Sequence, residues 1–209
     1  MTDVKVNRRQ RQALETRRKI RTAARELFEQ QGYAATTINQ IAERADVAWQ
    51  TVYSVFKNKP AILSEIFDVT VAGDDDPIPM AERPFVRQIA QAPEPREKYR
   101  IFAAHMRETN ARTASVQGVI ESAAATDPDM AELWAKLMRM LTEGMRLAAQ
   151  ALAAQGAIRG ISIEKAADLL WWHAGPWAYR GLVLTKGWTD ADYEAWTADS
   201  LHTQLFAGG

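Results

Sequence analysis

Residues 37–56, with the sequence TINQIAERADVAWQTVYSVF, carry the strongest structural pattern in the chain. Thr37 is a favoured N-cap residue, and Gln40 three positions later completes a capping box, so a helix begins here. Asp46 interrupts the pattern, and aspartate tolerates the backbone angles of a tight turn. Two short helices joined by a turn are therefore predicted. Their apolar sides, at helical spacing, consist of Ile38, Ile41, Ala42, Ala45, Val47, Val52 and Phe56.

The second predicted helix presents polar and aromatic side chains away from its apolar side. At about 100° per residue, Gln50 and Ser54 lie opposite Val52, with Thr51 and Tyr53 on the flanks. Helix-turn-helix proteins place such a helix in the DNA major groove. A purely structural helix pair would fit the same pattern, so these residues alone leave both interpretations open.

A larger set of positions, between Thr16 and Leu63, extends the pattern on both sides. Its members are Ala23–Ala24, Leu27–Phe28, Gly32–Tyr33, Thr36–Thr37, Ile41–Ala42, Ala45, Val47, Val52–Tyr53, Phe56, Lys59 and Leu63. In residue type and spacing, without insertions, this set resembles the DNA-binding domain of the TetR family of transcriptional regulators. Three positions depart from the commonest family pattern: Asp46 replaces a turn glycine, Ala48 replaces a capping serine, and Gln50 replaces a frequent glycine. The first two changes are expected to loosen the turn and the helix start, whereas Gln50 bears on which bases are read.

The resemblance implies a set of DNA contacts and a mode of assembly. It implies base-edge contacts by Trp49, Gln50 and Thr51, phosphate contacts by Thr37, Tyr53 and Lys59, and Lys57 as a weaker phosphate candidate. By helical spacing, Trp49 lies nearer the packed side of its helix than the other base-reading residues. The resemblance also implies a homodimer, in which the last two helices of each subunit pair as a four-helix bundle and the protein binds a palindromic operator as a repressor.

The charge distribution supports a nucleic-acid partner. The whole chain has no net charge, but residues 1–60 contain 12 Lys and Arg against 6 Asp and Glu, a net charge of +6. The remainder therefore carries −6. A basic segment that also contains a helix pair is the electrostatic pattern of a nucleic-acid-binding domain. A solvated helix face with a disordered tail is the alternative explanation.

The amino-acid composition and the absence of catalytic motifs argue against several classes of protein. The 209 residues are 47% hydrophobic and 25% charged, as in ordinary globular proteins, and no cysteine is available for disulfides or thiolate chemistry. The absence of a signal-peptide core and of a long apolar stretch favours the cytoplasm. We find no nucleophile with an adjacent base, no paired carboxylates and no glycine-rich phosphate loop, so neither enzyme activity nor a cofactor is predicted.

Helical periodicity continues to the C-terminus without strand alternation, which predicts an all-α protein of about nine helices. The predicted organisation is a disordered basic arm at 1–12, a helix-turn-helix domain at 13–72, a linker at 73–94 and a ligand-binding and dimerisation domain at 95–209. Three consecutive aspartates and three prolines define the linker. Thr113 is predicted to cap a separate helix that ends near Ala125. Pro176 is predicted to kink one long helix from Ile163 to Lys186.

The helix predicted from Ile163 carries a stripe of mostly small residues at spacings of 4, 3, 4 and 3. The stripe consists of Ala167, Trp171, Ala174, Ala178 and Gly181. Small residues permit close helix approach, which predicts a packing face for a second subunit. Ordinary core packing within one subunit is the alternative.

Six mostly apolar residues on three helices predict a ligand cavity: Phe102, Met106, Trp134, Met138, His173 and Trp177. An apolar wall with a few polar groups is typical of a ligand pocket, and it predicts a small apolar or aromatic effector oriented by His173. The same residues would also serve a closed core. His105 and His173 have no second histidine at i+4, so no metal site is predicted.

These features together predict a DNA-binding transcriptional regulator, specifically a homodimeric repressor released by its ligand. The alternative is a helical small-molecule binding protein or enzyme whose basic N-terminus is incidental.

Overall fold

A computed structural model describes residues 8–206, and this part of the chain contains helices but no strand. The predicted all-α class is therefore confirmed. The helices are α1 (Arg8–Ala35), α2 (Ile38–Arg44), α3 (Trp49–Phe56), α4 (Lys59–Ala72), α5 (Pro84–Gln91), α6 (Pro95–Ala124), α7 (Pro128–Ala154), α8 (Ile163–Ala174), α9 (Pro176–Tyr179) and α10 (Asp190–Leu205). A short 3-10 turn, Met80–Glu82, precedes α5, and a π-helical segment, Arg180–Thr185, follows α9. None of the helices within residues 8–206 is both long and apolar enough to cross a membrane.

The chain divides into two compact units. The first contains the residues up to Val69 together with Ser115–Trp134, and the second contains Thr70–Ala114 and the residues from Ala135 onward. The first boundary lies close to the predicted end of the helix-turn-helix domain at residue 72. Ser115–Trp134, which we predicted to belong to the C-terminal domain, instead joins the first unit, so α6 and α7 each contribute to both units.

The first unit is built on α1 to α4. The apolar residues of α1 from Ile20 to Phe28 are buried, and α1 contains a break at Gly32, whose φ of 79° is in the left-handed region that favours glycine. This break turns the last residues of α1 toward α2. The core of these four helices includes Ile20, Ala24, Phe28, Ile41, Val52, Phe56, Ile62, Leu63 and Ile66, each almost completely removed from solvent.

The second unit has its core among the long helices and α8 and α10. Tyr99 and Phe102 of α6 pack there with Leu152 of α7, Leu170 of α8 and Leu201 of α10. The hydroxyl of the buried Tyr99 donates a hydrogen bond to the carbonyl oxygen of Ala157, which satisfies the polar end of an otherwise apolar side chain.

Four predicted boundaries differ from the structure. Helix α1 begins at Arg8, so the part of the predicted arm at 8–12 is helical, whereas residues 1–7 lie outside the described range. The predicted linker contains α5. Helix α6 continues through Thr113, because the Thr113 hydroxyl donates to the carbonyl oxygen of Thr109 within the helix at 2.8 Å rather than capping a new one. The predicted helix from Ile163 to Lys186 is interrupted at Gly175, whose extended backbone precedes Pro176.

The predicted stripe of small residues is partly buried within the subunit: Trp171 and Ala178 are half-buried, and Gly181 is exposed. Ala167 and Ala174 are buried in the core of the second unit, beside Leu170. Large apolar side chains of the same region are exposed instead: Ile163, Trp172, Leu184 and Trp188.

Candidate nucleic-acid interface

The helix pair formed by α2 and α3 is held together as the sequence predicts. The Thr37 hydroxyl accepts a hydrogen bond from the backbone N–H of Gln40 at 3.2 Å, and the Gln40 side chain accepts one from the backbone N–H of Thr37 at 2.8 Å. This confirms the capping box. Asp46 has a φ of 53°, so it supplies the left-handed turn in place of a glycine. The N–H of Val47 donates to the carbonyl oxygen of Ala42 at 3.0 Å and closes the turn.

Helix α3 presents an aromatic and polar surface to solvent. Trp49 is 50% exposed and Tyr53 is 48% exposed, and their rings meet edge to face with centroids 5.7 Å apart. Gln50 is exposed beside them and Thr51 is half-buried, while Val52 is buried on the other side of the helix. Trp49 therefore belongs to the solvent face and not to the packed side that its spacing indicated.

The start of α3 lacks a side-chain cap. Ala48 occupies the N-cap position and makes no side-chain hydrogen bond, which is the consequence expected from the loss of a serine there. The first backbone N–H groups of the helix therefore have no side-chain acceptor, and such groups favour an anion such as a phosphate. Thr37, the N-cap of α2, is likewise exposed at a helix start.

The two lysines after α3 have different environments. Lys57 is exposed and ends α3 with a φ of 64°. Lys59 is half-buried: its ammonium donates to the carbonyl oxygens of Tyr33 and Thr36, each at 2.9 Å, and lies 4.1 Å from the centre of the Tyr33 ring. Two of its three donors are thus used within the protein. Lys59 fixes the end of α1 to the start of α4 in this structure.

The electrostatic surroundings of this lysine contain acidic groups. Burial lowers the pKa of Lys59, whereas the carboxylate of Asp127 acts to raise it. The pKa of Tyr33 is raised to about 12, mainly by burial and further by Asp127 and Asp129. All four residues belong to the first unit. The Lys59 ammonium, which lies near the helix pair, therefore also interacts with the carboxylate of Asp127 inside the first unit.

Several basic residues of the N-terminal segment are already paired. Arg17 donates to the carboxylate of Glu65, which raises its pKa, and its guanidinium lies 4.7 Å from the centre of the Phe56 ring. Arg44 pairs with Glu26 at 2.6 Å. Glu65 lies outside residues 1–60, so its pairing with Arg17 reduces the net charge of +6, whereas the Arg44–Glu26 pair is already balanced within that value.

Comparison with known proteins identifies this helix pair. Residues 20–66 match the family model described as "Bacterial regulatory proteins, tetR family". Residues 20–66 therefore have the sequence pattern of a TetR-family DNA-binding domain. The uncharacterized HTH-type transcriptional regulator YdeS of Bacillus subtilis (strain 168) is 38% identical over 64 residues, which cover 31% of this chain and 32% of that protein. The HTH-type transcriptional regulator AcrR of Shigella flexneri is 39% identical over 59 residues, which cover 28% of this chain and 27% of that protein. The matched segment thus spans about a third of these curated relatives.

The similarity to a solved structure extends over most of the chain at the level of the fold. The transcriptional regulator FadR of Bacillus subtilis, crystallised in complex with stearoyl-CoA, superposes with a TM-score of 0.68. The superposition covers 92% of this chain and 98% of FadR, with 20% sequence identity. At this identity the comparison demonstrates a shared fold.

The structure places the six predicted ligand residues in several different surroundings. Phe102 and Met106 are buried together in the core of the second unit. His173 is also buried in that unit, but its ring packs on Trp196, with centroids 5.0 Å apart. The remaining three have different settings: Met138 is half-buried in the second unit, Trp177 packs on Trp171 and Trp172, and Trp134 is half-buried in the first unit.

The structure also identifies polar groups that the sequence did not single out. Within residues 8–206, the buried Nδ1 atom of His173 has no hydrogen-bond partner, and the buried Thr197 lies on α10. Burial lowers the pKa of His173 to about 4, so its ring is uncharged at neutral pH. Asn110 donates weakly, at 3.5 Å, to the hydroxyl of the buried Tyr193. Thr197 and Tyr193 are four residues apart on α10, and this spacing beside His173 was the available sequence signal. Across residues 8–206, no group of three or more His, Asp or Glu residues is arranged to hold a metal ion.

Proposed function

We propose that this chain is a sequence-specific DNA-binding transcriptional regulator that acts as a homodimeric, ligand-released repressor. The solvent face of α3 carries this proposal. Two half-exposed aromatic rings and an exposed glutamine lie together on a short helix in a TetR-family domain. Glutamine, threonine and aromatic side chains read base edges and thymine methyl groups, whereas lysines and helix starts bind phosphates.

The proposed DNA contacts follow the surroundings of each residue. Trp49, Gln50 and Thr51 are proposed to face base edges. Thr37, Tyr53 and Lys57 are proposed to face phosphates. Lys59 remains a phosphate candidate only through its third donor, since two are used on Tyr33 and Thr36. We therefore propose Lys57 as the more direct phosphate contact of the two lysines.

Fluorescence anisotropy with DNA flanking the protein's own coding sequence tests this function. The wild-type chain should bind one such duplex at least tenfold more tightly than a shuffled duplex of equal composition. Tyr53→Ala should weaken binding to that duplex. Leu14→Ala is the matched control, because Leu14 is an exposed apolar residue of α1 in the same unit. Equal affinity for every duplex would contradict sequence-specific regulation and favour the alternative of a helical binding protein with an incidental basic segment.

The proposed homodimer uses the region of the last helices. Exposed Trp172 and Leu184 support it, because large apolar side chains that lie close along the chain and face solvent are typical of protein interfaces. A two-fold dimer requires a palindromic operator whose half-sites lie about 34–36 Å apart, or a multiple of that distance. Truncating the operator to a single half-site should therefore reduce affinity sharply.

The proposed effector is small and mostly apolar. The buried Phe102 and Met106 of the second unit support an apolar site, and His173 offers a neutral polar group in the same unit. Because FadR of Bacillus subtilis was crystallised with stearoyl-CoA, a long-chain acyl-CoA is the first effector to test. Adding it to the protein–operator complex should release the DNA, and operator should weaken effector binding by the same factor. Coenzyme A without an acyl chain is the control.

A further inference from the structure

A cleft of about 360 Å³ lies at the start of α10, within the second unit. Trp188, Asp192 and Trp196 line it. The three residues are spaced by four, so they follow one face along the loop end and first turns of the helix. None of them belongs to the predicted effector site or to the DNA-binding surface. The volume lies within the range of small-molecule sites.

The two indole rings of the cleft are perpendicular. Their centroids are 6.2 Å apart with an interplanar angle of 90°. The rings meet edge to face, so a cation that lies in the cleft over an indole face can come within about 6 Å of that ring's centroid, the distance at which it is attracted to the face. Two indoles at right angles, rather than a flat apolar surface, therefore favour a compact cationic group.

The carboxylate of Asp192 is held beside these rings. Its Oδ2 atom accepts hydrogen bonds from the hydroxyl of Thr189 at 2.7 Å and from the backbone N–H of Thr189 at 3.4 Å. This capping box at the start of α10 fixes the side chain. A negative charge at a set position next to two π faces supplies the second element that a cation needs.

The wall behind the cleft is formed by packed rings. The Trp196 ring packs on His173, with centroids 5.0 Å apart, and on Tyr193, with centroids 6.0 Å apart. His173 is uncharged at neutral pH because burial lowers its pKa to about 4. The nearby Arg107 pairs with Glu194 at 3.1 Å, so its positive charge is balanced. Trp196 is thus positioned before any ligand arrives.

We propose that the cleft of Trp188, Asp192 and Trp196 binds an organic cation with apolar substituents, such as a quaternary ammonium group. The indole faces attract the positive charge and cover the methyl groups, and Asp192 supplies the counter-charge. A bare metal ion is a poor occupant, because indole rings offer it no oxygen or nitrogen ligand. This site is independent of DNA binding.

Tryptophan fluorescence of the full chain tests the proposal directly. Choline is the probe, and 3,3-dimethyl-1-butanol, which has the same shape without the charge, is its neutral counterpart. Choline should change the emission in a saturable manner, and the neutral compound should bind at least about threefold more weakly. This comparison uses only the wild-type protein and does not depend on the folding of any variant.

Two variants and two matched controls locate the site. Asp192→Asn keeps an oxygen acceptor for the capping box but removes the charge, and Trp188→Leu removes one π face; each should weaken choline binding at least about threefold. Asp168→Asn, an exposed carboxylate of α8, and Met140→Leu, an exposed apolar residue of α7, should leave the affinity unchanged.

Three outcomes would overturn the proposal. Equal binding of choline and its neutral counterpart would reduce the cleft to an apolar patch. Choline binding that survives both Asp192→Asn and Trp188→Leu would place the site elsewhere. An absence of saturable choline binding, combined with a changed sedimentation coefficient in Trp188→Leu, would assign the cleft to a contact with a second copy of the chain.

Discussion

The Lys59 ammonium lies 4.1 Å from the centre of the Tyr33 ring and 2.9 Å from the carbonyl oxygen of the same residue. One lysine therefore binds both the side chain and the backbone of a residue 26 positions earlier in the chain. Gly32 breaks α1 just before Tyr33, and the carbonyl oxygens after this break include that of Tyr33, which also accepts a hydrogen bond from the backbone N–H of Thr36 at 3.3 Å. Lys59, at the first position of α4, donates to two of them and so fixes the frame that carries α2 and α3.

This arrangement predicts different effects for the two neighbouring lysines. Lys59→Ala should lower the free energy of unfolding by about 2 kcal/mol, because it removes two charge-assisted hydrogen bonds and a cation–π contact from a half-buried site. Lys57→Ala is the matched control and should change stability by less than about 0.5 kcal/mol. Thermal melts followed by circular dichroism measure both. An unchanged melting temperature in Lys59→Ala would show that its two hydrogen bonds contribute little to stability.

Lys57→Ala should affect DNA binding more than Lys59→Ala does, although it affects stability less. Lys57→Ala should weaken binding to all duplexes alike and reduce the slope of log affinity against log salt by about one unit, because one phosphate contact is lost. At a temperature where the Lys59→Ala protein is folded, its salt slope should change less than that of Lys57→Ala. Anisotropy titrations at four salt concentrations provide the comparison, and equal losses of slope would assign both lysines to phosphates.

The exposed glutamine of α3 should determine part of the operator sequence. Gln50→Ala should reduce discrimination at one base pair by about 1–3 kcal/mol, since an amide can bind an adenine edge through two hydrogen bonds. Competition with duplexes substituted at each position of the operator measures this loss. Asn39→Ala, an exposed amide of α2, serves as the control variant. A uniform loss of affinity over all substituted duplexes would instead make Gln50 a phosphate contact.

Dimerisation should depend on exposed apolar residues near the end of the chain. Leu184 is 63% exposed, and Leu184→Glu should shift the sedimenting species from dimer to monomer at micromolar concentration. Met140→Glu is the matched control, because Met140 on α7 is 56% exposed and lies outside the proposed interface. A wild-type protein that sediments as a monomer, or a Leu184→Glu protein that remains dimeric, would contradict the proposed interface.

How far the sequence predicts this structure depends on the range of the interactions concerned. The capping box of Thr37 and Gln40 and the turn at Asp46 are correctly predicted, because they involve residues within five positions of each other. The partners of Lys59 are 23 and 26 positions away, so only the folded chain identifies them. Its internal role was therefore not visible in the sequence.

The limit of local sequence patterns also explains why the predicted and observed structures differ in the C-terminal helices. A threonine hydroxyl can form a hydrogen bond with the backbone at either position: as a helix cap it accepts from an N–H group, and inside a helix it donates to the carbonyl oxygen four residues earlier, as Thr113 does. The stripe that includes Ala167 and Ala174 has helical spacing, but spacing cannot tell whether the facing helix belongs to the same subunit. The cleft at Trp188 and Trp196 combines a loop with the start of α10, which no single helical pattern describes.

Stability should fall at acidic pH through a buried histidine. His173 is 2% exposed, and its folded pKa of about 4 is below the ordinary value of about 6.5. The unfolded chain therefore binds a proton that the folded chain excludes, so its contribution is complete above pH 6.5 and is lost as the pH falls toward 4. The loss is up to about 3 kcal/mol. His173→Phe should make the free energy of unfolding less dependent on pH between 6.5 and 4, as measured by urea titrations. Identical pH profiles for variant and wild type would exclude this role.

Any side chain at Gly175, the residue between α8 and α9, should destabilise the protein. A Cβ atom added at Gly175 would lie 1.9 Å from Cζ2 of Trp177, whose ring packs on Trp171 with centroids 4.3 Å apart. Gly175→Ala must therefore displace the Trp177 ring, at a cost of about 1–3 kcal/mol. Gly144→Ala is the matched control: its new Cβ would meet no atom within 4 Å inside α7, so it should stabilise the protein by about 0.5–1 kcal/mol. Thermal melts and near-ultraviolet circular dichroism of the tryptophans measure both changes. A Gly175→Ala protein with an unaltered tryptophan spectrum would show that the Trp177 ring does not lie against this glycine in solution.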